Sequence, residues 1–198
     1  MNIIEKKKPM SGDFEIIRTP VAASGASEVI LKEKNTITSG LSAGLSKLFG
    51  GVGSQTITDY IIDRFQVGTG GSAGLSVSST RALATPLTKA EYDAGTNLEV
   101  QEHYLYDSQD ANNQSDSAQA FALIPRTMRT AIGDHSVRFT LVLDENTANT
   151  ENLDEIGLFM KNPAGFADNT SMLCAYKYFG PLTKTSEFSL TFRWTLNL

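Results

Sequence analysis

Side chains able to do acid–base, nucleophilic or metal chemistry are sparse in this chain. It holds two histidines, His103 and His135, and one cysteine, Cys174. Neither histidine has a second His, a Cys or a paired carboxylate at ligand spacing, so no metal centre is expected. Cys174 lies between Leu173 and Ala175, and an apolar setting raises a thiol's pKa instead of activating it. It reads as a small buried hydrophobe, and a single cysteine forms no intrachain disulfide. Carboxylates offer more. The pairs Asp144-Glu145 and Asp154-Glu155 bracket a polar stretch, and two carboxyl groups at the right separation can serve as acid and base in glycoside hydrolysis. Turn and strand-end duties are the commoner use, and no further catalytic set accompanies these pairs. Asp107, Asp110 and Asp116 lack the alternation and closing Glu of a calcium loop. The run Gly68-Thr69-Gly70-Gly71-Ser72-Ala73-Gly74 could offer backbone N–H groups to an anion, yet no Gly-Lys-Ser/Thr ending follows. A turn is expected there, and no cofactor is expected anywhere.

The elements that must position these residues are mostly strands. Phe188, Leu190, Phe192, Trp194, Leu196 and Leu198 alternate without error with Ser189, Thr191, Arg193, Thr195 and Asn197. A strand sends successive side chains to opposite faces, so the six apolar residues share one buried face. Further strands are predicted at Phe65 to Val67, Leu98 to Tyr106, Ala120 to Ile124, Val137 to Leu143, Ile156 to Met160 and Met172 to Phe179. Ile156, Phe159, Phe188, Phe192 and Trp194 are the expected core-strand residues. Between Thr36 and Phe49, Ile37, Leu41, Leu45, Leu48 and Phe49 follow helical spacing, with Thr36, Thr38 or Ser39 as N-cap and Gly50-Gly51 as stop. Gly40 and Gly44 weaken that helix and let another backbone come close. No helices alternate with the strands, which argues against a parallel sheet. The expected fold is mainly β, an antiparallel, jelly-roll-like β-sandwich over 35–198 with one short amphipathic helix near 37–49.

Residues 1–34 have a different character. Short apolar clusters alternate with charges, Pro9, Pro20 and the small-residue segment from Ala22 to Ser27. The pattern predicts an extended N-terminal arm with one or two strands. Ile3, Ile4, Ile16, Ile17, Val29 and Ile30 are too apolar for a free tail, so they are the expected contacts with a neighbouring subunit. Lys6-Lys7-Lys8 reads as a solvated run.

At 198 residues the chain has the length of one principal domain with room for such an arm. Its formal net charge of −5 argues against a broad phosphate-binding surface, so no specific nucleic-acid binding is expected. No apolar run approaches a membrane span and no secretory leader follows Met1, which makes synthesis and assembly in a cytoplasm the expectation.

Four segments, taken in order, resemble virion structural proteins of tailed bacteriophages. They are Gln66-Val67-Gly68-Thr69-Gly70-Gly71, Thr85-Pro86-Leu87, Asp154-Glu155-Ile156-Gly157-Leu158-Phe159, and the stretch from Tyr178-Phe179-Gly180-Pro181-Leu182-Thr183-Lys184 to Trp194-Thr195-Leu196. The likeness spans about residues 35–198. It implies a non-enzymatic, β-rich building block of a neck or collar, baseplate or tail-fibre-attachment region. Such a protein would assemble in several symmetric copies, with other virion proteins as partners, in the host cytoplasm. A carbohydrate-binding module of a phage appendage, with Tyr92, Tyr104, Tyr106 and Phe166 as platforms, is one alternative; a capsid decoration protein is another.

Overall fold

The computed structural model describes residues 10–22, 25–51, 60–74, 82–93, 119–160 and 172–198. Its strands are β1 (Ser11–Pro20), β2 (Glu28–Lys34), β3 (Thr36–Ile37), β4 (Ile62–Gly68), β5 (Ala122–Leu123), β6 (Arg129–Ala131), β7 (Ser136–Leu143), β8 (Asn152–Met160), β9 (Met172–Thr183) and β10 (Phe188–Asn197). Two helices, α1 (Ser39–Gly50) and the short α2 (Lys89–Asp93), accompany them. All pairings are antiparallel and give two five-stranded sheets, ordered β2-β1-β10-β7-β6 and β3-β9-β8-β4-β5. The chain is therefore mainly β, with the architecture of a β-sandwich.

The alternation in β10 does what strand geometry requires. Leu190, Phe192, Trp194 and Leu196 are buried, while Phe188 at the strand's start is half-buried and Leu198 just beyond it is exposed. Opposite β10 in register, β1 contributes Phe14 and Ile16 to the same inner face. Phe14 meets Trp194 edge-on at 4.9 Å, and Phe179 of the second sheet lies 6.4 Å from Phe14 and 6.1 Å from Phe192. Ile156, Leu158 and Met160 of β8 join the same cluster, so the core lies between the two sheets. Phe159 points to the other side.

The arm over residues 1–34 is corrected for its described part. Ser11–Pro20 and Glu28–Lys34 are the strands expected there, but β1 lies inside the first sheet between β2 and β10 and is no free arm. Ile16 and Ile17 are buried within their own chain, and Ile30 packs partly buried against the core. Val29 remains exposed. The charges that suggested a solvated arm are cross-strand partners: Asp13 pairs with Lys34, Glu15 with Lys32 at 2.6 Å, and Arg18 with Glu28 at 2.5 Å. Opposite charges facing one another across a strand pair support its register while keeping its outer face wet. Ile3, Ile4 and the lysine run lie outside the described residues.

Helix α1 starts after Thr38 and stops at Gly51, whose φ of 57° is the left-handed C-cap conformation suited to glycine. Gly40 admits a neighbouring backbone, whereas Gly44 admits a side chain. A Cβ on Gly40 would stand 2.1 Å from the Leu173 carbonyl oxygen, and one on Gly44 would stand 2.5 Å from Met160 Sδ. The helix thus lies against the ends of β8 and β9.

Candidate functional site

Strand β8 is buried on both faces from Glu155 to Met160. Its inner face meets the core. Its outer face is covered by Leu83 and Phe121, which form a second, smaller cluster with Phe159, Leu173 and Tyr176. The Phe121 and Phe159 rings meet edge-to-face at 5.3 Å. Gly157 is what lets this outer layer settle, because a Cβ there would fall 2.6 Å from Leu173 Cδ1 and 2.9 Å from the Phe159 ring.

At one end of this layer the acidic pair clasps the glycine-rich loop. The Glu155 side chain is fully buried and accepts hydrogen bonds from the backbone N–H of Thr85 (2.9 Å) and Ala84 (3.2 Å). Asp154 Oδ1 accepts one from the Gly71 N–H at 2.9 Å. The segment around Thr85 is tied to β4 as well: Thr69 N donates to Thr85 O, Leu87 N donates to Val67 O, and Gly68 bridges Pro86. The glycines leave no room for side chains. A Cβ on Gly68 would lie 2.5 Å from Thr85 O, and one on Gly70 would lie 2.2 Å from Thr85 Oγ1. Tyr178 faces Glu155 across the strands. Just beyond, β9 carries an irregularity at Gly180, whose φ is 79°. The neighbouring Tyr176 phenol is pushed upward in pKa, first by burial and then by the Glu155 carboxylate.

The first three segments quoted above, and the Tyr178 start of the fourth, therefore meet on β8, while the fourth ends in β10 of the other sheet. In chemical terms the arrangement is a clasp: carboxylate oxygens bound to backbone N–H groups are charge-assisted acceptors that fix loop positions. The pair Asp144-Glu145 has other work. Asp144 Oδ1 accepts from Asn146 N at 2.9 Å in the turn leading from β7 to β8. Ala148 and Thr150 there adopt φ of 53° and 73°. This corner closes over Lys184, whose buried amine donates to Asn149 Oδ1 (3.1 Å) and Thr185 O (2.7 Å). Burial lowers the Lys184 pKa to about 8, against the opposing pull of Asp144 and Glu145.

The remaining sequence candidates scatter. Cys174 is fully buried, its thiol pushed upward by that burial. His135 lies exposed in the turn before β7. His103 and the three aspartates of 107–116 lie outside the described residues. Of the four proposed sugar platforms, Tyr92 is buried in the core beneath Ala148, so it offers no face to a glycan. Tyr104, Tyr106 and Phe166 lie outside the described residues.

One feature had no sequence signal. Where β4 and β7 begin and β6, β8 and β10 end, a partly open cavity of about 230 Å³ lies between the sheets and α1. Leu41, Leu45, Ile62, Val137, Phe139, Met160 and Leu196 line it, with Ile61 and Leu198 among the residues at its walls. The apolar lining comes from five elements and from chain next to them. It is invisible to any local pattern.

Compared with known protein families, with curated proteins and with solved structures, the chain matches none.

Proposed function

We propose that this chain is a non-enzymatic structural component of a tailed-phage virion. It assembles in several symmetric copies in the neck or collar, the baseplate or the tail-fibre-attachment region. The observation that carries the reading is the clasp. The acidic pair with the strongest claim to chemistry gives its oxygens to the backbone of the Gly68–Gly74 turn and the Thr85 segment, where they position chain instead of a reacting group. Three of the segments that resemble phage virion proteins, and the Tyr178 start of the fourth, meet there. A sandwich with both faces of a central strand buried is a stiff body, suited to holding a fixed place in a ring.

Quantitative mass spectrometry of density-purified particles from the phage that encodes the chain tests this. The protein is expected in every particle preparation, at a fixed multiple of a tail-axis protein. Complete particles without it would overturn the proposal.

A further inference from the structure

The cavity at the open end of the sandwich has no assigned occupant, and its surroundings point to one. The lining strands of each sheet reach it with the same end: Ile62 pairs with Met160, and Val137 pairs with Leu196. Strand β1 begins at that same end, because Ser11 pairs with Asn197. Met10, Ile61 and Leu198 all stand exposed there, Leu198 at 59%. Ile132, in the turn leading to β7, is exposed as well, and the neighbouring His135 carbonyl accepts from Leu198 N. Apolar side chains gathered around the mouth of an apolar hole mark a surface meant to be covered.

We propose that this cavity is a socket for the Ile3-Ile4 pair of a second copy of the chain. The proposal deepens the multi-copy reading above and rests on it. Three observations select this occupant. The residues before Met10 contain one strongly apolar pair, Ile3-Ile4, followed by three lysines that favour water. From Met10 back to Ile4 is six residues, a reach of about 20 Å at about 3.3 Å each. The volume, about 230 Å³, exceeds the roughly 150 Å³ at which an apolar cavity stays dry and accepts a small hydrocarbon. A neighbour is favoured over the chain's own segment because Met10, Ile61, Ile132 and Leu198 stay exposed around the mouth, a rim that the body of a second copy covers as its isoleucine pair enters and that the chain's own pair would leave in water. Root and socket also share one end of the molecule, so a two-fold pair or closed ring can fill every socket at once.

The test is disulfide trapping in the full chain. One preparation carries Ile4→Cys and a second, distinguishable by a mass tag, carries Leu198→Cys. Leu198 is exposed, and cysteine keeps a small apolar side chain at position 4. Mixed under mild oxidation, they are expected to give a reducible heterodimer in about tenfold higher yield than Ile4→Cys mixed with Val142→Cys, because docking raises the local concentration of the two thiols. Adding Ile3→Asp to the Ile4→Cys chain is expected to abolish the excess. No excess over the control, indifference to Ile3→Asp, or a concentration-independent intramolecular disulfide in a chain carrying both cysteines would each overturn the proposal. Particles lacking the protein would overturn the virion reading instead, so the two failures are distinguishable.

Discussion

Glu155 shows what a single residue contributes here. Hydrogen bonds to a charged acceptor stabilise by about 1.5–3 kcal/mol, and Gln can accept only with its single oxygen while turning an amine toward the other N–H. Glu155→Gln is expected to lower stability by about that amount in urea unfolding. Amide exchange should accelerate at Ala84 and Thr85, whose N–H groups it holds. Stability within about 0.5 kcal/mol of the parent, the range of ordinary surface changes, would contradict the clasp. Gly157→Ala should cost about 1–3 kcal/mol by overpacking the layer under Leu173 and Phe159. Lys184 adds a pH signature. Its pKa falls from 10.5 in the unfolded chain to about 8 in the folded one, so between these values the unfolded state binds more protons and stability rises with pH. Measured as the difference in unfolding free energy from Lys184→Met, the parent is expected to gain steadily from pH 8 to 10.5. A flat difference would contradict the assignment.

Elements were legible where one face repeats with a period of two. Strand β10 follows its alternation residue by residue, and β7, β8 and β9 include the stretches expected for them. Helix α1, Ser39–Gly50, lies close to the expected 37–49 and ends where the glycines said it should. Two things escaped. The one or two strands expected before residue 35 are present, but the place of β1 inside the sheet was hidden by its charges, because Asp13 and Glu15 announce water in isolation and reveal a sheet only once Lys34 and Lys32 stand opposite. The outer layer on β8 was hidden because Leu83 and Phe121 are isolated apolar residues, and nothing local says what they cover. The clasp was half visible: its glycine loop and acidic pair both stood out, but their contact spans 83 positions. The position of β1 sets a sharp expectation. Deleting residues 1–20 removes a strand from between β2 and β10 and uncovers Phe192 and Trp194. Circular dichroism and near-ultraviolet spectra of the truncated chain should show loss of the native fold, whereas a free arm would leave a folded monomer.

At the scale of the whole molecule, the described residues form two sheets around one core, with an outer layer stiffening the second sheet and an apolar opening at one end. Stiffness and a one-ended apolar surface together are what a repeated building block needs: the first fixes the angle between neighbours, the second supplies contact. On the proposal made above, copies that present root and socket at the same end would saturate each other in a closed, symmetric assembly. The most direct measurement is a cryo-electron microscopy reconstruction of the intact particle along its tail axis. The expected result is a ring of repeated copies at the neck, baseplate or fibre junction, each showing two five-stranded sheets with their apolar ends turned toward neighbours. A complete particle in which no such repeat can be fitted would contradict the account.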